Sequence, residues 1–296
     1  MTTKPQVEQT KISEHLLNTV SCMDAVELLG SLPDNSIDMA LTSPPYDNLR
    51  TYGGHSVFDF ETIAQETYRV LKPGGVLVWV VGDATINGSE TLTSMRQALY
   101  FVDAVGFRMH DTMIYDKHSV VFPDINRYHQ CWEYMFVLSK GAPLTFTPQT
   151  RINSWPEDKK TGKQRNQNGT LVVPLGYGKK NKTNGWLFNL WRVSTGYNKT
   201  TKDKEAYAHP AMFPEKLAER HILTWSNPGD VVLDYFMGSG TTAKMARNNG
   251  RHYIGCDVNE DYVKLARARL AKPYTLPLFE ETVIEEKPEQ AVMELG

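Results

Sequence analysis

Apolar positions along the chain fall into short runs and helical stripes that alternate with turn residues. Glu14 to Val20 is a mixed segment leading toward a strand, and Asp24 to Leu29 predicts a short helix with Asp24 at its cap. Leu32 to Ser36 reads as a turn. Ile37 to Thr42 is a buried strand stopped by Pro44-Pro45. Asp59 to Leu71 places Phe60, Ile63, Ala64, Thr67, Val70 and Leu71 at helical spacing and ends at a Lys72-Pro73-Gly74-Gly75 turn. Val76 to Val81 is continuously apolar between glycines, the pattern of a central parallel strand. Ser94 to Val105 predicts a helix closed by Gly106. Phe107 to Tyr115 and Cys131 to Ser139 predict an antiparallel pair at the sheet edge.

From Gly141 to about Tyr207 the periodicity disappears in a stretch too long for an ordinary connection. The expectation is an inserted, irregular recognition region with a little strand around Leu187 to Val193. Regular structure resumes with a helix over Pro214–Thr224, a strand over Val231–Asp234, a helix over Thr241–Asn249, a strand over His252–Asp257 and a basic-faced helix over Asp261–Leu270. This rhythm predicts an α/β fold: a Rossmann-like, wound, mostly parallel sheet with helices on both faces. The expected organisation is a catalytic part over 14–140, the insertion over 141–208, a second part of the same domain over 209–272 and an acidic tail over 273–296.

Charge changes the picture locally. The whole chain carries a formal charge of −2. Yet Arg151 to Lys204 holds twelve Lys/Arg against three Asp/Glu, which suits a phosphate-contacting surface. Glu280 to Gly296 holds six Glu against one Lys. The three cysteines (Cys22, Cys131, Cys256) form no CxxC and no zinc pattern. No run approaches the length of a membrane span, so a soluble, cytoplasmic protein without membrane contact is expected.

Two segments carry the chemistry. Val231 to Asp234 runs into Tyr235-Phe236-Met237-Gly238-Ser239-Gly240 and then Thr241-Thr242, a strand, a glycine turn and a helix start. Glycines there let the backbone approach a ligand. Twenty-three residues after Asp234 a second strand ends in Asp257, an acid placed to accept ribose hydroxyls. The loop has no basic residue to hold a pyrophosphate, which favours S-adenosylmethionine over a dinucleotide. Phe213 and Pro214 stand as an apolar wall for that cofactor or as a simple helix start. The other segment, Thr42-Ser43-Pro44-Pro45-Tyr46, sits at the end of a strand and resembles the catalytic motif of amino-group methyltransferases, whose chemistry the residue types suit. The exocyclic amine of a base is a poor nucleophile because its lone pair is delocalised. Ser43 and the Pro44 carbonyl are acceptors that can each take one amine hydrogen and free that lone pair. The prolines hold them still. Tyr46 can stack on a base rotated out of the duplex.

Together these residues resemble the β-group of DNA amino-methyltransferases, over roughly residues 20–270. In that group the catalytic motif precedes the recognition region and the cofactor loop comes last, and here about 190 residues separate the two. The resemblance implies S-adenosylmethionine as cofactor and double-stranded DNA as substrate. It places Asp24 near the adenine, Asp234, Phe236, Gly238 and Gly240 near the methionine part, and Asp257 at the ribose, with Thr42, Ser239, Thr241 and Thr242 around them. It implies Asp47 facing the same site. Ser at the first motif position goes with cytosine N4 methylation in this family, with adenine N6 as the alternative. The resemblance also allows a homodimer and a cognate restriction endonuclease acting separately. Competing readings are a protein or RNA methyltransferase, an NAD-dependent oxidoreductase, and a non-catalytic nucleic-acid-binding module that kept the fold.

Overall fold

The sheet that carries the chain is set by apolar strands that the sequence alternates with amphipathic helices. The computed structural model describes residues 11–45, 58–117 and 125–274. In chain order these form β1 (Thr19–Cys22), α1 (Ala25–Ser31), β2 (Ile37–Thr42), α2 (Phe60–Val70) and β3 (Leu71–Val81). A small hairpin follows, β4 (Thr85–Ile86) with β5 (Ser89–Glu90), then α3 (Thr93–Tyr100), β6 (Arg108–Asp116) and β7 (Trp132–Ser139). Short strands come next: β8 (Thr150–Ile152), β9 (Gln164–Arg165), β10 (Leu171–Val172), β11 (Asn184–Trp186) and β12 (Leu190–Arg192). The chain then builds α4 (Glu215–Trp225), β13 (Val231–Asp234), α5 (Thr241–Asn248), β14 (His252–Asp257) and α6 (Glu260–Ala271).

Eight strands make one sheet in the order β1-β14-β13-β2-β3-β7-β6-β12. Every neighbouring pair is parallel except β3–β7 and β7–β6. So β7 alone runs against the others, and the expected antiparallel pair is β6 with β7. Alternate residues of a strand face opposite sides. Ala40, Leu77, Trp79, Leu233 and Ile254 face a core shared with α1 and α2, through Leu28, Leu29, Ile63 and Val70. Met39, Leu41 and Val232, also buried, alternate with them and face the side where α4, α5 and α6 pack.

Two expectations shift in detail. The Lys72-Pro73-Gly74-Gly75 turn does not separate helix from strand, because α2 passes directly into β3 at Leu71. The pairing with β2 accommodates this by a register shift between Ile37 and Met39. Lys140 holds the junction, its Nζ donating to the carbonyls of Tyr68 and Leu71 at 2.7 and 2.8 Å, a cation on the last turn of α2. The helix over Ser94–Val105 starts as α3 and finishes as a π-helical turn, Phe101–Val105, before Gly106.

The described residues divide into two compact units: the chain up to Thr147 with the chain from Asn189, and Pro148–Phe188. Of the stretch 141–208, residues 189–208 therefore belong to the sheet-bearing unit, and β12 is that sheet's last strand beside β6. Within the Pro148–Phe188 unit, β8 pairs β11 and β9 pairs β10, both antiparallel. No helix among the described residues is long and apolar enough to cross a membrane. Tyr46, Asp47 and the acidic tail from residue 275 lie outside the described residues.

Candidate active site

Parallel pairing brings the carboxyl ends of β2, β13 and β14 to one edge of the sheet, where ligands of open α/β folds bind. Thr42 ends β2, Asp234 ends β13 and Asp257 ends β14. Residues that are distant in the chain thereby become neighbours. Thr42, fully buried, donates from Oγ1 to Asp234 Oδ1 at 2.8 Å. Ser43, Pro44 and Pro45 leave the sheet from this point, so the candidate amine-acceptor segment starts directly beside the glycine loop.

Asp234 is the electrostatic centre of the edge. It is 2% exposed. Its Oδ1 accepts from Thr42 and from the Phe236 N–H at 3.1 Å. The Thr242 hydroxyl, which also reaches the Leu41 carbonyl at 3.3 Å, bonds the same carboxyl group. Burial above all, with Asp257 adding to it, raises the Asp234 pKa to about 6 against the hydrogen bonds from Thr242, Thr42 and Phe236, which lower it.

The loop after Asp234 is held from three sides. The Gly238 N–H donates to Asp257 Oδ2 at 2.8 Å. Gly240 caps α5 in the left-handed region at φ 81°, and a Cβ there would lie 2.8 Å from the Ala266 Cβ on α6. A Cβ on Gly238 would lie 2.8 Å from His209 Nε2. Ser239 is buried with its carbonyl and hydroxyl turned to Arg269, and Thr241 Oγ1 faces the same guanidinium at 3.4 Å. Phe236 lies against Phe58 and Trp79, with ring centroids 5.0 and 6.4 Å apart.

Asp257 is fixed by two backbone donors, Gly238 and the Asn259 N–H at 2.9 Å. The cap of α6 is Asn259, so Asp257 does not cap that helix. Asp24 does cap α1, accepting from the Val26 N–H at 2.7 Å. It stands one residue beyond the Met23 N–H, which donates to the Asp257 carbonyl. The four acids of this edge converge on Cys256: burial first, then Asp234, Asp257, Asp24 and Glu27, push its thiol well up. An edge lined by carboxylates and a loop without lysine or arginine suits a cationic, phosphate-free cofactor. S-adenosylmethionine, with its sulfonium and ammonium groups, has that charge pattern.

Phe213 is half-buried and Pro214 buried, and Pro214 stands at the start of α4, where its carbonyl accepts from Leu217 and Ala218. Two residues behind the loop escape sequence reasoning. His209 covers Gly238 and packs on Tyr262 with ring centroids 4.3 Å apart. Arg269 is wholly buried on a helix read as basic-faced. Its only sequence signal is its spacing from Val263 and Ala266, which puts an arginine on the apolar stripe of α6.

A family model described as DNA methylase, covering N6 and N4 methyltransferases, matches residues 37–268. The orphan methyltransferase M.BamHII of Bacillus amyloliquefaciens is 55% identical over 245 residues, 81% of this chain and 91% of that protein. The type II methyltransferase M.BglII of Bacillus subtilis is 29% identical over 265 residues, 84% of this chain and 68% of that one. Among solved structures, the PvuII DNA methyltransferase (cytosine-N4-specific) shares the fold with a TM-score of 0.61 at 22% identity, over 89% of this chain and 90% of that one. The M1.HpyAVI complex with S-adenosylmethionine does so at 0.52 and 21%, over 85% and 98%. With the family model spanning most of its length, this chain belongs to the N6/N4 DNA methylase family, the S-adenosylmethionine-dependent amino-methyltransferases of DNA.

Proposed function

We propose that the chain methylates the exocyclic N4 amine of a cytosine rotated out of duplex DNA. The observation that supports this reading is the Thr42–Asp234 hydrogen bond, because the residue that follows Thr42 in the chain is Ser43, a neutral hydroxyl acceptor in place of a carboxylate. Ser43 Oγ and the Pro44 carbonyl each take a hydrogen bond from the amine. This draws the nitrogen toward tetrahedral geometry and frees its lone pair for in-line attack. The bound cofactor supplies an electrophilic methyl group on a sulfonium. Asp257 orients the ribose hydroxyls, and Asp24 stands at the adenine end. Asp234 offers negative charge to the cationic part. Pro44 and Pro45 keep the acceptors from relaxing away, so catalysis is positional and electrostatic. Tyr46 supplies a stacking face for the extruded base.

Contact with DNA is assigned to the Pro148–Phe188 unit. A cavity of about 420 Å³ there is lined by Arg151, Lys160, Lys182, Asn153, Asn181 and Trp155, cations for phosphates and amides for base edges. A homodimer and a separately acting restriction endonuclease belong to the same reading, and light scattering of the purified protein tests the first of them.

The deciding experiment is mass spectrometry of nucleosides from plasmid DNA incubated with the protein and labelled S-adenosylmethionine. Label on N4-methylcytosine is the expected result. Label on N6-methyladenine keeps the enzyme and replaces the base. Unlabelled DNA from a protein that binds the cofactor overturns the DNA assignment in favour of RNA, protein or a non-catalytic role.

A further inference from the structure

Behind the cofactor loop lies an ion cluster, built on a buried arginine with partly buried partners, that the chemistry above does not use. Arg269 is wholly buried, and every nitrogen of its guanidinium is engaged. Nε donates to Asp203 Oδ2 at 3.0 Å and Nη2 to Glu215 Oε1 at 2.7 Å. Nη1 donates to the Ser239 carbonyl at 2.5 Å and to Ser239 Oγ at 3.1 Å. Lys244 of α5 closes the cluster, bonding Asp203 at 2.8 Å and Glu215 at 2.7 Å. The Thr201 hydroxyl donates to Glu215 Oε1 at 2.6 Å. Burial pushes the Asp203 carboxyl up, but Lys244 and Arg269 outweigh it and lower the pKa to about 2.

Such a cluster is weak evidence for stability, because an apolar replacement of similar volume for a buried charge often folds as well. What this one does is geometric. Arg269 grips the Ser239 carbonyl from α6, one turn along from Ala266, which leaves Gly240 no room for a Cβ. Its carboxylate partners belong to the segment from Thr201 to Glu215. That segment also carries His209, whose ring covers the other loop glycine, Gly238.

We propose that Arg269 is a positioning residue for the cofactor loop: it holds the Ser239 carbonyl and, through Asp203 and Glu215, fastens the His209-bearing segment over Gly238. The proposal rests on the reading that S-adenosylmethionine binds along Asp234–Gly240 and Asp257. Loss of Arg269 then loosens the loop without touching the base site.

The test compares Arg269→Met, Arg269→Lys, Asp203→Asn and Asp257→Ala by calorimetric titration with S-adenosylmethionine and by steady-state kinetics on plasmid DNA. For Arg269→Met, Kd and KM for the cofactor should rise about tenfold, the worth of a charged hydrogen bond. Its kcat at saturating cofactor and its KM for DNA should stay near the parent's, a split that general loss of structure does not produce. Arg269→Lys should recover part of the affinity. Asp203→Asn should weaken cofactor binding about threefold and serves alone if Arg269→Met does not fold. If Asp257→Ala loses cofactor affinity while the Arg269 and Asp203 variants keep the parent's, the positioning role is overturned and the cofactor site stands. Parent-like affinity in Asp257→Ala overturns both.

Discussion

A carboxylate buried at the end of β13 is unfavourable in the free protein, since nothing cationic among the described residues bonds it. The Asp234 pKa, raised to about 6, expresses that cost. The sign follows from linkage. Between the ordinary value near 3.8 and about 6 the folded chain holds a proton that the unfolded chain has lost. Stability therefore falls as pH rises through that window and stays lower above it. Asp234→Asn keeps an acceptor for Thr42 and Phe236 and removes the charge. Without cofactor it should melt higher than the parent at pH 8, by at most about 3 kcal/mol, with the gain vanishing by about pH 4. The same substitution should weaken cofactor binding, and parent affinity should tighten as pH rises through about 6, when the carboxyl ionises. Calorimetric melting and titration at several pH values read both. A variant that melts lower than the parent at pH 8 would remove the account of Asp234 as a group held ready for a cation.

At the scale of elements, the site depends on how closely α6 lies against the glycine loop. Gly240 satisfies two demands at once, a φ of 81° and contact with Ala266. Gly240→Ala should cost about 1–3 kcal/mol, seen as a lower urea midpoint with an unchanged slope. A parent-like midpoint would show that loop and helix separate easily. The elements themselves are mostly legible in the chain. Val76–Val81 has to be a central strand because no polar residue interrupts it. Ile37–Thr42 and Val231–Asp234 follow from similar apolar runs. The direct passage from α2 into β3 is not legible, because Pro73, Gly74 and Gly75 are turn residues by habit, and here sheet pairing overrides their local preference. The strand around Leu187 to Val193 is legible as an apolar run, but its place in the main sheet is not, because only pairing with the open edge of β6 recruits it there.

At the scale of the molecule, the charge is nearly balanced overall and uneven along the chain. Twelve basic residues between Arg151 and Lys204 outnumber three acids. If the Pro148–Phe188 unit meets phosphates, replacing Arg151, Lys160 and Lys182 by Gln should flatten the dependence of DNA affinity on salt, by about 1 in slope for each phosphate left without its cation. Cofactor affinity should be unaffected. Fluorescence anisotropy with duplex DNA over a salt series measures the slope, and a slope identical to the parent's would move the DNA surface elsewhere.

The order of motifs, the alternation of strand and helix, and the residue types at Ser43, Asp234 and Asp257 were determined by sequence alone, because local chemistry and periodicity write them directly into the chain. So was the absence of a phosphate-binding cation in the loop. What only the tertiary structure decided is which of these residues meet. Parallel pairing of β2 with β13 places Thr42 on Asp234 across 192 positions of chain. Packing of α6 brings Arg269 to Ser239 and makes a charged residue part of the core. Such contacts depend on register and helix packing, which are set by the burial of the whole sheet; spacing can mark Arg269 as inward-facing, but nothing local names the partner that it meets.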